Sequence, residues 1–315
     1  MDEQTKHAMK TIRGEFSRTG WALFAGMLVP VALSVAAGLL IGVLMPQLLD
    51  SDVLMFLTGF LPVYGAGLPL AMMILRAVPA ETGVKRTLGP GRFWQLMLMA
   101  VPVTLAGNIV GNLLGALFSF GQAVNPLEDL ASAFNPYAVF SMLVLAPVLE
   151  ELLFRKFLLD RCAKFGRWNA IVFSALAFSM FHANIYQMVY AFGLGLLFGY
   201  VYLHTRRLRY TMAMHFLINF FGGLVGPALL LYFPLDDLNM SMPVLIYEGV
   251  MLLLGAAGLV LLVMHRKDFR LPQAPWELPR GIRGRLTYGN AGVIFFLVLT
   301  GIQTVITLVQ SVFYY

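Results

Sequence analysis

Residues 136–161 read PYAVFSMLVLAPVLEELLFRKFLLDR, an apolar run broken by two adjacent acids, Glu150 and Glu151. An ionisable side chain at bilayer depth costs about 2.5–3.5 kcal/mol on insertion scales, and here two of like sign stand side by side. Arg155 follows Glu151 by one helical turn, the spacing of an ion pair. Acids kept in such a helix imply a function or a compensating partner.

The rest of the chain sets that helix in a membrane. Of its 315 residues 59% are hydrophobic and 12% charged, with a mean hydropathy of +0.78. A soluble domain carries about 25% charged residues. The expected fold is therefore an all-α polytopic membrane protein, since a span needs about 20 apolar residues. About nine such segments are legible, near 21–45, 53–75, 93–119, 137–160, 169–184, 186–204, 210–232, 243–264 and 290–311. The number falls to eight if the short 169–184 segment does not span.

The 22 Lys and Arg group as Lys6–Arg18, Arg76–Arg92, Arg155–Arg167, Arg206–Arg209 and Arg266–Arg285. Three intervening loops carry acidic pairs instead: Asp50/Asp52, Glu128/Asp129 and Asp236/Asp237. The positive-inside rule makes the amino terminus cytoplasmic, and nine spans put the closing QSVFYY outside. Trp21, Trp94 and Trp168 border basic clusters, as an interfacial belt requires. The formal charge of +6 then answers to anionic lipid and not to nucleic acid. The single Cys162 excludes an intrachain disulfide or a cysteine metal cage. Ser34-Val35-Ala36 faintly resembles a signal cleavage site, but its apolar run is too long, so the first span is expected to stay.

The organisation expected along the chain is a tail at 1–20, amino-terminal helices at 21–136, a core at 137–233 and carboxy-terminal helices at 234–315. Within the last part, the Pro-rich basic loop 266–289 reads as a lipid-surface linker. No internal repeat is visible, which counts against a transporter built from inverted halves.

Polar residues capable of chemistry recur in two further segments: His182, four residues after Phe178, and His215 with Asn219 four residues on. Each such pair projects from one helical face. A lone membrane His or Asn is often interhelical glue, and Glu151–Arg155 could be purely structural. Their joint occurrence favours one polar site made of Glu150, Glu151, Arg155, His182, His215 and Asn219. Glu can act as general base, and His and Asn can polarise a carbonyl and stabilise an oxyanion. Glu and His are also acceptable zinc ligands, so a divalent metal such as zinc and a metal-free pocket both stay open. Like charge and burial work against ionising both acids, whereas Arg155 supports the charge on Glu151. That leaves Glu150 as the base. Counted at 1.5 Å per residue, His215 lies about 9 Å from Arg209 but His182 about 22 Å from Arg167. The helix bearing His182 must then tilt, or begin inside the cytosol, for the two to meet.

The pattern resembles the CPBP family, also called ABI, whose eukaryotic relatives are the type II CAAX prenyl endopeptidases. Its Glu-Glu-x-x-x-Arg motif is met by Glu150, Glu151 and Arg155, its Phe-x-x-x-His by Phe178 and His182, and its His-x-x-x-Asn by His215 and Asn219. The resemblance covers about 137–233. It implies an intramembrane endopeptidase of a family usually labelled metalloproteases, with a conical polar cavity in the cytoplasmic half of the membrane. Glu150 would activate water, His182 and His215 would line the pocket, and Asn219 would donate to the oxyanion. Glu151 with Arg155 would hold the geometry. The implied partners are membrane lipid and a hydrophobic or lipidated peptide, in a bacterial plasma membrane. The competing readings are a non-proteolytic scaffold or immunity protein that uses the same pocket, and a proton-coupled transporter.

Overall fold

The computed structural model describes residues 3–48, 51–122, 134–233 and 241–313. Asp50, Glu128, Asp129, Asp236 and Asp237 lie outside the described residues; Asp52 opens a helix. Among the described residues, eight helices are long and apolar enough to cross a membrane. They are α1 (Glu3–Leu44), α2 (Asp52–Leu75), α3 (Pro90–Phe118), α4 (Pro136–Phe165), α6 (Ile185–Thr205), α7 (Leu208–Tyr232), α8 (Met242–Met264) and α10 (Ala291–Phe313). Two shorter helices, α5 (Arg167–Phe181) and α9 (Arg280–Tyr288), complete the chain order.

The expected ninth span, 169–184, is α5. Its 15 residues reach about 22 Å, short of the roughly 30 Å hydrocarbon core. The chain reverses after it through Ala183, whose φ is +47°, and Asn184 starts α6 by accepting the Tyr186 N–H at 2.9 Å. The hairpin of α5 and α6 is thus closed by its sequence, and it delivers His182 at its tip.

Helix packing here follows small residues, because lipid tails are as apolar as leucine and give no hydrophobic drive between spans. Gly107, Gly111 and Gly115 form a stripe on α3 against Tyr186 and Tyr190 of α6; a methyl added at Gly107 would stand 2.5 Å from the Tyr190 Cα. Gly20 of α1 and Gly292 of α10 meet backbone to backbone. The amino-terminal residues expected as a separate tail are the first turns of α1. They are held by Arg13 donating to the Gly289 carbonyl at 2.7 Å and by Glu15 paired with Lys164 at 2.6 Å.

Many of the basic residues that mark topology also make ion pairs. Asp160 accepts from Arg206 at 2.8 Å, Tyr202 at 2.9 Å and Lys156 at 2.7 Å. Glu81, in the loop between α2 and α3, accepts from Arg167 at 3.1 Å and Arg206 at 3.2 Å. Arg161 donates to the Leu75 carbonyl and ties the end of α2 to α4. The loop expected to lie on lipid rests in part on protein: Trp276 N–H donates to the Lys164 carbonyl at 2.9 Å and Leu278 N–H to that of Phe165 at 3.1 Å.

Three helices depart from ordinary α geometry in the same neighbourhood. Wide turns of the π type occupy Phe56–Phe60 and Pro62–Gly67 in α2, Ser141–Glu150 and Leu152–Leu159 in α4, and Asn219–Val225 in α7. Pro62 and Pro147 have no N–H to donate, which loosens the usual ladder where they sit. Such turns are rare and concentrate at functional sites.

Candidate active site

The innermost group is built on Glu151, which is fully buried together with Arg155. The Arg155 Nε donates to Glu151 Oε2 at 3.1 Å, and His215 Nδ1 stands 3.2 Å from Oε1. Arg155 Nη1 donates to Ser174 Oγ at 3.1 Å, and Ser174 in turn donates to the Phe154 carbonyl at 2.9 Å. The guanidinium also faces the Phe178 ring, 4.9 Å from its centroid. A buried carboxylate and guanidinium hold together only when the remaining donors and acceptors are met. Here α5 meets the guanidinium through Ser174 and α7 meets the carboxylate through His215, while Arg155 Nη2 is buried with no hydrogen-bond partner among the described residues.

Glu150 points the other way. Its Oε1 accepts the Tyr64 hydroxyl at 2.9 Å, while Oε2 is buried and has no hydrogen-bond partner among the described residues. It lines a pocket of about 200 Å³ with Tyr64, His182, Phe154, Phe181 and Phe60. His182 Nδ1 lies 2.7 Å from the Phe178 carbonyl, and a carbonyl accepts only, so Nδ1 carries the proton. With Nδ1 protonated, the neutral form of the ring is the one that presents Nε2 as a lone pair. His215, bonded through Nδ1 to a carboxylate, presents Nε2 in the same way.

The two histidines meet at Phe178. Its ring centroid is 4.9 Å from that of His182 and 5.8 Å from that of His215. Position 178 is thus a divider between the Glu151 cluster and the Glu150 pocket. Asn219 sits apart from both: its amide donates to the Met142 carbonyl at 2.8 Å, and it does not line the pocket. The second N–H of that amide has no hydrogen-bond partner among the described residues. The sequence reading missed Tyr64 and Ser174. A tyrosine hydroxyl in the apolar run of α2 was the available signal for the first; serine is too common in spans to signal the second.

Among the described residues no group of three or more His, Cys, Asp or Glu could hold a metal ion. Both oxygens of Glu151 are engaged, one by Arg155 and one by His215.

Comparison with known proteins follows the same stretch of chain. Residues 132–221 match the family model described as type II CAAX prenyl endopeptidase Rce1-like. A Bacillus subtilis (strain 168) protein named "Putative membrane peptidase YdiL" is 25% identical over 162 residues, covering 50% of this chain and 66% of that relative. The "Membrane-embedded CAAX protease MroQ" of Staphylococcus aureus (strain USA300) is 28% identical over 138 residues, 41% of this chain and 55% of that protein. The chain therefore spans less than two thirds of the length of these curated relatives. No solved structure matches. The matched stretch holds all of Glu150, Glu151, Arg155, His182, His215 and Asn219, and over it this multi-pass membrane protein is similar to the type II CAAX prenyl endopeptidases.

Proposed function

We propose that the chain is an intramembrane endopeptidase in which Glu150 activates the hydrolytic water. The observation that carries this is the free, buried Oε2 of Glu150 in a pocket shared with the imidazole of His182. A carboxylate oxygen without a donor, facing a space large enough for water, is a base in waiting. A water there gives one proton to Oε2 and its second hydrogen bond to His182 Nε2, which turns its lone pair toward a carbonyl carbon. Protonated Glu150 then passes that proton to the leaving amine. The spare N–H of Asn219 is the donor proposed for the oxyanion, and reaching it requires the substrate to lie along α4 toward Met142. Glu151, Arg155 and His215 keep α4, α5 and α7 in register and carry no proton to substrate.

The proposed substrate is a membrane-associated peptide, hydrophobic or lipidated, because four of the pocket's eight lining residues are Phe60, Val63, Phe154 and Phe181. The proposed setting is a bacterial plasma membrane with the amino terminus in the cytosol, as the basic loops indicate. Peptide termini compared in membranes holding wild type or Glu150→Gln at equal levels test the reading. New termini with wild type alone support it. Identical termini, with both proteins folded, sink it in favour of a scaffold that only binds.

A further inference from the structure

Resting on that reading, we infer that Tyr64 is the positioning residue for Glu150: its hydroxyl holds Oε1 and so leaves Oε2 as the oxygen turned to the reacting water. A carboxylate has two equivalent oxygens, and its terminal torsion is broad and roughly two-fold. Unless one oxygen is tied, the group divides its time between orientations, only some of which address the pocket. In this protein one is tied, by Tyr64 at 2.9 Å, and the other is buried without a partner. Tyr64 and Glu150 are neighbours in the pocket wall although they come from α2 and α4.

The mount for the hydroxyl is rigid. Tyr64 lies in the wide-turned segment Pro62–Gly67, and Gly67 is pressed against α1 at Gly26 and Pro30 with no room for a side chain. A methyl on Gly26 would in turn stand 2.8 Å from the Ala71 Cβ. This double glycine contact fixes the depth of α2 on α1 one turn from Tyr64, so the phenol cannot follow Glu150 if the acid turns. Positioning groups act through such rigidity, since a displacement of about 1 Å at a reacting atom can cost about 100-fold in rate.

The test uses the full chain in vesicles and three proteins: wild type, Tyr64→Phe and Glu150→Gln. Tyr64→Phe keeps the ring and removes one hydroxyl. Difference infrared spectra come first and need no substrate. Wild type minus Tyr64→Phe should show a shifted carboxylate stretch, and the shift should vanish when both proteins also carry Glu150→Gln. An unchanged carboxylate band overturns the inference. The kinetic arm uses a farnesyl-anchored peptide ending in an aliphatic tripeptide. Tyr64→Phe should lower kcat about 10–100-fold with KM within twofold and with an unchanged melting midpoint. An unaltered kcat, a rise in KM alone, or a loss that follows the melting midpoint overturns it. Wild-type kcat in Glu150→Gln overturns the assignment of Glu150 itself, an outcome separable from the first because the infrared result still reports on the bond. With a peptide that wild type does not cleave, the infrared result alone decides.

Discussion

Consider Arg155→Met, which keeps the length of the side chain and removes its charge. The change deletes the 3.1 Å bond to Glu151, the 3.1 Å bond to Ser174 and the face contact with Phe178. Each hydrogen bond to a charged group contributes about 1.5–3 kcal/mol, and the ring contact about 0.5–2. Against this stands the relief of bringing a guanidinium back out of a fully buried site. Measured cases in which one partner of a buried pair is removed converge on about 3–5 kcal/mol, and the lower end, about 3 kcal/mol, applies here because Glu151 keeps its contact with His215. Glu151→Gln strands the guanidinium and should cost a similar amount. The double variant buries neither charge and should cost about as much as one single change, or less. The cycle then carries a coupling of about 3 kcal/mol, at the upper end for touching residues. Equilibrium unfolding in mixed detergent micelles or by steric trapping reads all four corners. Single costs below about 1 kcal/mol, or a double cost equal to the sum of the singles, would refute the description of this pair as mutually dependent.

Two further outcomes follow from the packing and the topology. Gly111→Leu should abolish a folded α3–α6 pair, since even a methyl there would strike the Tyr186 carbonyl; Gly301→Ala, with open space around it, should leave the folded yield unchanged. Monodispersity in detergent checks both, and a well-folded Gly111→Leu would contradict the stripe. Trp276→Cys, at a well-exposed loop position, should react with an impermeant maleimide only from the cytosolic side, while buried Cys162 stays unlabelled until denaturation. Labelling from the opposite side would reverse the proposed orientation.

The spans were legible because apolar runs of this length have few other uses, and the acids, histidines and amide were legible because their cost in lipid makes them conspicuous. What could not be read was how deep each helix goes. The run through 169–184 looks like a short span, yet α5 stops at Phe181 because Asn184 caps the next helix and Ala183 turns the chain. Composition carries no trace of that stop. The partners of the acids were equally silent: Tyr64 is 86 residues from Glu150, and Ser174 is 19 from Arg155. The wide turns leave a mark only where Pro62 and Pro147 interrupt the ladder. The docking of 276–278 runs through backbone groups, which every sequence possesses.

That docking makes the boundaries of the matched segment unreliable as a guide to what can be cut away. Residues 163–166 form the elbow between α4 and α5, bent at Gly166 with φ +140°. The acids stand on one arm of that elbow and His182 on the tip of the other. Two backbone hydrogen bonds from Trp276 and Leu278 brace it from outside the stretch 132–221. A chain severed after α7 would keep every candidate residue and lose the brace, leaving the elbow free to open. The minimal folded unit, if one is sought by trimming, has to include a piece of sequence that contains none of the candidate site residues.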